Sequence, residues 1–236
     1  MRIENDKSIL VVGAGGLGVP AAIAIARTEI RRIGLVDPEA VELSNLHRQT
    51  IYAASDIGQL KVKAAAAHLR AMNHSLKIDE YPYAFDTNTA RDLVTRYDCV
   101  IDATDSPAAK FLINDTCLAA HRPFVYGGVL GMSGQAMAVL PRRTACLRCL
   151  FEDAPDEAEI ANCREAGIIG PIAGAIGELQ AHAAIEFCSG ITPGIAGGVL
   201  SYDGAALRVR IAAVKPRPRC ICGAGEVTAE SQAARN

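Results

Sequence analysis

Hydrophobic residues along the chain cluster into short apolar runs that alternate with longer segments of mixed character. The apolar runs are bounded by glycine, proline or charged residues, which is typical of buried strands. They predict strands at residues 8–12, 32–37, 77–83, 98–104, 123–129 and 134–140. Capping signals and helical spacing predict helices between them, at residues 16–28, 55–73, 87–96 and 107–121. This alternation of strands and helices predicts a parallel sheet.

The last part of the chain has a different pattern. Between residues 141 and 169 the periodicity weakens into a polar loop, and a long helix is predicted at residues 170–190. Two alternating runs at residues 198–204 and 206–214 meet at Asp203-Gly204, which predicts an antiparallel hairpin. We therefore predict an α/β protein with a Rossmann-like nucleotide-binding fold, a mixed, mainly parallel sheet and C-terminal antiparallel strands.

Length and composition fit one domain with a sizeable core, because half of the 236 residues are hydrophobic. We predict a single domain over residues 1–223, with a cysteine-rich appendage at about residues 144–150 and 220–223, and a flexible tail at residues 224–236. The formal charge of −2 argues against binding to nucleic acid or to an anionic membrane surface. No leader-like segment and no run of about 18 apolar residues is found, so we expect a cytoplasmic protein.

A glycine-rich segment, GAGGLG, follows the first predicted strand. Gly13, Gly15 and Gly16 lie in it, between a strand and a helix, which is the context that nucleotide-binding glycine loops require. Glycines permit a tight turn there, and the helix N-terminus offers free N–H groups to a phosphate. Asp37 ends the second predicted strand, where a carboxylate accepts hydrogen bonds from ribose hydroxyls. The two features predict a bound nucleotide without saying which one.

The segment after the second strand carries basic and polar residues that a dinucleotide does not require. Asn45 and Arg48 lie in VELSNLHRQ, and Lys61 opens the next predicted helix. The glycine loop already serves a pyrophosphate, whereas extra cations suit a triphosphate on which charge develops during nucleotidyl transfer. Asp105 in DATDS follows another strand, where it either binds Mg²⁺ with phosphate oxygens or caps the next helix beside Ser106.

Taken together, these motifs resemble the ThiF/MoeB family of adenylyltransferases, the bacterial relatives of the ubiquitin-activating enzymes. The resemblance covers about residues 8–223 and is carried by GAGGLG, VDPEAVELSNLHRQ, DIGQLK, DATDS, CLRC and NCREAG, and NCREAGIIGPIAG favours the ThiF branch. It implies ATP-dependent adenylation of the C-terminal Gly-Gly carboxylate of a ubiquitin-like sulfur-carrier protein, with Mg²⁺ and a homodimer. A ThiS-like carrier in thiamine biosynthesis is the first choice and a MoaD-like carrier the second.

The resemblance also assigns roles to individual residues. It implies that Gly16 contacts phosphate, that Asp37 contacts ribose, that Arg48 and Lys61 steady the phosphates and that Asp105 holds Mg²⁺. The whole predicted nucleotide site comprises Gly13, Gly15, Gly16, Asp37, Ser44, Asn45, Arg48, Gln49, Lys61, Asp105 and Ser106. No general base is required, because a C-terminal carboxylate has a pKa near about 3.5 and is already ionised at neutral pH.

Four of the eight cysteines have the spacing of a metal site. Cys146 and Cys149 form C-x-x-C, while Cys220 and Cys222 form C-x-C near the C-terminus. Four thiolates are enough for a structural zinc ion, which would hold the C-terminal segment against the domain. The second pair departs from the family, whose members usually have C-x-x-C there as well.

Cys163 is a candidate nucleophile, because Arg164 beside it favours a thiolate. The matching cysteine takes part in sulfur transfer in the ThiF branch but is not needed for adenylation in the MoeB branch, so a catalytic role and a free thiol both stay open. A sulfurtransferase or a cysteine desulfurase is a candidate partner. Family members also carry an N-terminal arginine that reaches the partner subunit's ATP, for which Arg2, or alternatively Arg27 or Arg31, is the candidate.

Two other functions fit part of the pattern. An NAD(P)-binding oxidoreductase would use the same glycine loop, and a non-catalytic nucleotide-binding adaptor would bind ATP without turnover. The extra cations and the lack of a substrate domain argue against the oxidoreductase. Pyrophosphate exchange that depends on a carrier ending in Gly-Gly separates an adenylyltransferase from both.

Overall fold

The computed structural model describes residues 6–151, 153 and 167–224 of the chain. The strands are β1 Ser8–Val12, β2 Arg32–Val36, β3 Lys77–Tyr81, β4 Cys99–Asp102, β5 Phe124–Leu130, β6 Ser133–Val139, β7 Gly198–Asp203 and β8 Arg208–Ala213. The helices are α1 Gly18–Ala26, α2 Lys61–Met72, α3 Ala90–Thr95, α4 Pro107–Ala119, α5 Leu147–Leu150 and α6 Gly170–Cys188. Two 3₁₀ turns, Leu43–Asn45 and Ala54–Asp56, lie between β2 and α2.

These strands form one sheet in the order β3-β2-β1-β4-β5-β6-β7-β8. The first five strands in this order pair in parallel, and the pairs from β5 to β8 are antiparallel. The chain leaves β1 toward β2 on one side and returns to β4 on the other, so the carboxyl ends of β1 and β4 border the crevice where open α/β sheets bind ligands. The predicted fold class and the predicted closing hairpin are confirmed.

Helices cover both faces of the parallel part of the sheet. Ile9 and Val11 of β1 belong to the core beneath α1, α2 and α6, whereas Leu10 and Val12 belong to the core beneath α3, α4 and α5. Successive strand residues point to opposite faces, which explains why this whole strand is apolar. The edge strand β8 is exposed along its length.

Most element boundaries lie within three residues of the sequence-based prediction, and two differences are larger. The predicted helix at residues 55–73 is shortened to α2, because the backbone first forms a 3₁₀ turn and then adopts a φ of +87° at Gly58. The predicted loop at 141–169 contains the short helix α5. Ala224, the first residue of the predicted tail, is buried, and residues 225–236 lie outside the described part. Within the described ranges, no helix is both long and apolar enough to cross a membrane.

Candidate functional site

The glycine loop joins the carboxyl end of β1 to the N-terminus of α1. Gly13 has a φ of +99°, and a Cβ atom at this position would lie 2.6 Å from the Ala103 carbonyl oxygen. A Cβ atom on Gly18 would lie 1.8 Å from the Gly13 carbonyl oxygen. Neither position accommodates a side chain, so the shape of the loop depends on these two glycines.

Asp37 fixes the glycine loop to the end of β2. Its Oδ2 accepts a hydrogen bond from the Ala14 amide at 2.7 Å, and its Oδ1 accepts one from the Glu39 amide at 2.9 Å. Burial raises the pKa of Asp37 above its ordinary value, although the two hydrogen bonds and the nearby Lys61 ammonium act in the opposite direction. A carboxylate oxygen has more than one acceptor site, so Asp37 retains capacity for a ribose hydroxyl.

Lys61 lies beside Asp37 at the start of α2. Its side chain is almost wholly buried, and its Nζ donates to Oε2 of Glu39 at 2.5 Å. The buried Tyr52 hydroxyl connects the same two segments, since it lies 2.9 Å from the Ala14 carbonyl oxygen and 3.3 Å from that of Lys61. Burial raises the pKa of Tyr52 well above its usual range, so the hydroxyl stays protonated.

Glu39 and Tyr52 are not among the predicted site residues. Glu39 lies two residues after the predicted ribose acceptor, and this spacing is the one signal that points to it. The position of Tyr52 depends on the path of the loop before α2, which the sequence pattern does not specify. Lys61 lies near the predicted ribose acceptor Asp37, and its ammonium is paired with a carboxylate that was not predicted.

The loop after β2 carries the remaining polar residues of the prediction. After the 3₁₀ turn, the Arg48 and Gln49 amides both lie 3.1 Å from the Asn45 carbonyl oxygen, which closes the loop into a compact turn. Asn45 is buried, whereas Ser44 is exposed. Arg48 donates from Nη1 to the Ser44 carbonyl at 3.1 Å.

Arg48 and Gln49 face the glycine loop. A Cβ atom on Gly16 would lie 3.6 Å from Cγ of Arg48, and one on Gly15 would lie 3.6 Å from Nε2 of Gln49. Gln49 is buried, and its Oε1 has no hydrogen-bond partner within the described ranges. An unsatisfied buried acceptor and a cationic side chain beside this loop fit a ligand that has both hydrogen-bond donors and phosphates, as ATP does.

The turn after β4 packs against the glycine loop and carries Asp105. The Ala103 amide donates to the Val12 carbonyl at 2.9 Å, which connects this turn to β1. Ser106 is the residue that caps α4, because its hydroxyl accepts a hydrogen bond from the Ala109 amide at 3.3 Å. The alternative cap role of Asp105 is therefore taken by its neighbour. Asp105 is exposed, and one carboxylate of this kind with phosphate oxygens fits Mg²⁺.

A buried ion pair that the sequence pattern does not predict lies at the base of this turn. Asp102 is fully buried, and each of its carboxylate oxygens lies 3.3 Å from Nζ of Lys110. Gln180 donates from Nε2 to the Asp102 carbonyl at 2.6 Å. The sequence signal for Gln180 is its position four residues after the buried Ile176 on the same face of α6.

The four predicted zinc ligands converge from two distant parts of the chain. Their Sγ atoms all lie within 4.8 Å of one another, with Cys146 and Cys149 each 3.6 Å from a partner, Cys220 and Cys222 respectively. Four sulfur atoms bound tetrahedrally at about 2.3 Å from zinc lie about 3.8 Å apart. The C-x-C pair thus reaches the same cluster as the C-x-x-C pair, and the geometry fits zinc.

Proton affinities in this cluster are uneven. Burial raises the pKa of Cys146 well above its usual range and that of Cys222 to about 12. Burial also acts on Cys149, but hydrogen bonds to its thiol, including one from the Arg217 amide at 3.4 Å, leave its pKa below the ordinary value. A zinc ion must therefore displace protons from some of these thiols when it binds.

The remaining predicted residues are Cys163, Arg2, Arg27 and Arg31. Cys163, the candidate nucleophile, lies outside the described ranges, as does Arg2. Arg27 and Arg31 lie between α1 and β2, at the opposite end of β1 from the glycine loop. These two arginines are therefore remote from the nucleotide site of their own chain.

Comparison with known proteins gives a family and close relatives. The ThiF family model matches residues 2–224. An Arabidopsis thaliana protein named adenylyltransferase and sulfurtransferase MOCS3 is 38% identical over 218 residues, which cover 92% of this chain and 47% of that protein. A Thermus thermophilus protein named sulfur carrier protein adenylyltransferase is 35% identical over 223 residues, which cover 92% of this chain and 82% of that protein. The chain thus spans about half the length of the plant relative.

Solved structures show the same fold. The structure of E. coli MccB with ATP superposes with a TM-score of 0.81 over 92% of this chain and 66% of that chain. SeMet PaaA superposes with a TM-score of 0.71 over 88% of this chain and 64% of that chain. The sequence identities are 20% and 19%, so these likenesses concern the fold alone.

Proposed function

The chain belongs to the ThiF family, and from this premise we propose that it is an ATP-dependent adenylyltransferase. Its substrate is the C-terminal Gly-Gly carboxylate of a ubiquitin-like sulfur-carrier protein. The observation that carries the proposal is the position of Arg48, whose side-chain stem lies against Gly16 of the glycine loop. A glycine loop of this kind suits a phosphate group, and the Arg48 guanidinium beside it adds a positive charge. This extra charge suits a triphosphate undergoing transfer.

The reaction is an in-line displacement at the α-phosphorus of ATP. One oxygen of the carrier's ionised carboxylate attacks, and the bond from the α-phosphorus to the oxygen that bridges to the β-phosphorus breaks. Pyrophosphate leaves with that electron pair, and the product is an acyl-adenylate. Because the carboxylate is already ionised at neutral pH, the site requires positioning and charge neutralisation rather than a base.

Each group of the site has a role in this scheme. Asp37 accepts the ribose hydroxyls while it also accepts the Ala14 amide, so nucleotide binding and loop shape are linked. Arg48 and Lys61 steady the phosphates, and Lys61 reaches them by giving up its contact with Glu39. Mg²⁺, held by Asp105 and phosphate oxygens, neutralises phosphate charge when it is bound. Gln49 offers its unpaired Oε1 to a hydrogen-bond donor of the nucleotide.

The four-cysteine cluster holds a structural zinc ion in this proposal. Cys220 and Cys222 lie beyond β8, and their partners flank or belong to α5. A metal ion between them joins the last described residues to the rest of the domain. Four sulfur ligands would leave the ion no open coordination position, as in structural rather than catalytic zinc sites.

The carrier and the partners are further parts of this proposal, and the resemblance to the family supports them. A ThiS-like carrier is the first to test and a MoaD-like carrier the second, and the protein acts in the cytoplasm as a homodimer. The Cys163 thiolate then attacks the acyl carbon of the acyl-adenylate, which forms a thioester and releases AMP. Alternatively, a persulfide carried by a sulfurtransferase or cysteine desulfurase makes this attack and AMP leaves. The Cys163 thiolate then exchanges into the resulting acyl disulfide and releases the donor's thiolate. A Cys163→Ala variant is expected to keep acyl-adenylate formation and to lose any later thiol step. Loss of adenylation itself would contradict this assignment.

The decisive experiment is ATP–pyrophosphate exchange with carriers that do or do not end in Gly-Gly. We expect exchange only with the intact carrier, together with an adenylated carrier in the mass spectrum. Nucleotide binding without exchange for any carrier would identify a non-catalytic adaptor. Tight binding of a reduced nicotinamide cofactor in place of ATP would identify an oxidoreductase.

A further inference from the structure

The strands β4 and β5 separate just where the turn that carries Asp105 begins. Their last paired residues are Asp102 and Tyr126, after which β5 continues alongside β6 and β4 ends. A strand that ends beside a diverging neighbour has no further ladder hydrogen bonds to hold the residues that follow it. On the β5 side, the turn at residues 102–106 is therefore held by side chains.

Lys110 fixes the turn from the α4 side of the sheet. Its Nζ lies 3.3 Å from both carboxylate oxygens of Asp102 and donates to the Gly127 carbonyl of β5 at 2.6 Å. The ammonium also lies 5.0 Å from the centroid of the Tyr126 ring. One side chain thus bridges the end of β4 and the part of β5 that β4 no longer pairs with.

Gln180 fixes the same point from the α6 side. Its Nε2 donates to the Asp102 carbonyl at 2.6 Å and to the Val125 carbonyl at 3.1 Å. A Cβ atom on Gly127 would lie 2.4 Å from Cδ of Gln180, so only glycine at that position leaves room for the amide. The two helices therefore hold Asp102 from opposite faces of the sheet.

Asp102 in turn fixes the backbone of the residues that follow it. Its Oδ1 accepts hydrogen bonds from the Thr104 amide at 3.1 Å and from the Thr104 hydroxyl at 2.8 Å, which folds the backbone back over the carboxylate. The Ala103 amide is bound to β1, and the Ala103 carbonyl packs against Gly13. The next residue, Asp105, is consequently presented on a backbone that is held on three sides.

We propose that Lys110 and Gln180 are positioning residues, which hold the 102–106 turn so that Asp105 meets a metal ion on the phosphates. This inference rests on the proposed function. Buried ion pairs contribute little net stability compared with apolar residues of similar size, so a purely structural role would not favour this pair. Residues that fix the position of a metal ligand, by contrast, commonly influence the affinity for the metal.

The test measures metal binding rather than turnover, with Mn²⁺ as the probe and electron paramagnetic resonance as the readout. The main variant is Asp102→Asn with Lys110→Met, which removes both buried charges and keeps an acceptor for Thr104. We expect its thermal midpoint to stay near that of the parent protein. Its ATP-dependent affinity for Mn²⁺ is expected to fall by about tenfold or more. Lys63→Met, which removes an exposed lysine of α2, is the matched control and is expected to change neither.

Gln180→Met gives an independent test from the other face of the sheet, should the charge-free variant fail to fold. The same loss of Mn²⁺ affinity is expected, with ATP binding in the absence of metal unchanged. If a folded variant binds Mn²⁺ with ATP as tightly as the Lys63→Met control, the positioning role is wrong while the proposed function stands. If the parent protein binds no metal–nucleotide complex, the proposed function fails first and this inference fails with it.

Discussion

The glycine-loop region and the four-cysteine cluster are both buried and polar, but they are built on opposite principles. In the first, Asp37 is desolvated, Gln49 has an unpaired acceptor, and Lys61 is paired with an exposed glutamate. In the second, four thiols lie within 4.8 Å of one another. On the proposed function, burial in the first region is unfavourable until a ligand binds, whereas the second region is expected to depend on a metal ion for its own stability. Substitutions in the glycine-loop region should therefore lower activity, whereas substitutions in the cysteine cluster should lower stability.

The largest effect on activity is expected from Arg48→Ala in the glycine-loop region. Removal of the guanidinium beside the glycine loop should lower carrier-dependent pyrophosphate exchange by about 100-fold to 1,000-fold, as removal of other transition-state charge donors does. Because the only hydrogen bonds found for this side chain within the described ranges are in its own loop, the thermal midpoint should hardly move. Arg91→Ala, at an exposed position of α3, is the control. Full exchange activity in Arg48→Ala would show that this guanidinium takes no part in adenylation and that the proposed mechanism is wrong.

The opposite outcome is expected from Cys146→Ser, which removes one of the four sulfur ligands. Zinc content should fall, and with free zinc about 100-fold above its dissociation constant the lost stabilisation is about 2.7 kcal/mol. Exchange measured well below the new melting temperature should remain, because the cluster takes no part in the reaction. Cys117→Ala, at a buried position in α4, serves as the control for zinc content. An unchanged zinc content in Cys146→Ser would show that this cluster is not the zinc site.

A change of pH should affect the cysteine cluster in two opposite ways, depending on whether zinc is bound. The raised pKa values of Cys146 and Cys222 mean that protons compete with zinc, so metal affinity should fall as the pH is lowered. For the metal-free protein, a lower pH should instead favour the folded state. Thiols whose pKa is raised by folding stabilise the fold below their unfolded pKa of about 8.5, and this contribution is lost as the pH rises above it. Metal titrations and melting curves at several pH values test the two signs separately.

A smaller effect is expected from Tyr52→Phe, which probes how far the glycine-loop region depends on internal hydrogen bonds. The hydroxyl contacts the carbonyl oxygens of Ala14 and Lys61, and both lose this contact in the variant. Leaving buried acceptors without a donor should cost about 2 kcal/mol of unfolding free energy. Denaturant titration measures this loss, and Tyr83→Phe, at an exposed tyrosine, is the control. No loss in Tyr52→Phe would show that the loop is held by Asp37 alone.

The two regions also differ in how well the sequence predicts them. The cluster follows from the spacing of Cys146, Cys149, Cys220 and Cys222, since two closely spaced cysteine pairs are typical of a metal site. The glycine loop and Asp37 follow from the order of strand, glycines and acid. Apolar runs likewise predict the strands, because parallel strands are buried on both faces.

What the sequence does not predict depends on packing between distant segments. Lys110 and Gln180 meet at Asp102 only because α4 and α6 cover opposite faces of the sheet, and the Gln180 contact spans 78 residues. Helical spacing from Ile176 marks Gln180 as inward-facing, but no local feature of either helix shows that its polar residue contacts Asp102. The pairing of Lys61 with Glu39 is equally invisible, because it depends on where α2 begins after the left-handed Gly58.

The smallest effect on stability is expected at Asp56, which borders the glycine-loop region. Asp56 connects the segment between Tyr52 and α2 to α2 itself. Asp56 accepts a hydrogen bond from the Ala53 amide at 2.8 Å, and its Oδ2 lies 2.8 Å from Nε2 of His68. The Ala53 hydrogen bond, followed by the one with His68, lowers the pKa of Asp56. A carboxyl group with a lowered pKa stabilises the fold above its unfolded pKa and loses that contribution as the pH falls through its folded pKa.

Asp56→Ala should therefore lower the unfolding free energy at pH 7 by about 0.5–1 kcal/mol, as loss of a capping carboxylate or an exposed ion pair does. The difference from the parent protein should shrink as the pH falls below about 3.9 and vanish once the parent carboxyl is protonated as well. Denaturant titrations across this pH range measure it, with Glu178→Ala on the exposed side of α6 as the control. A deficit that persists undiminished in acid would mean that Asp56 acts through packing rather than charge, and that this border resembles the cysteine cluster in being a matter of stability alone.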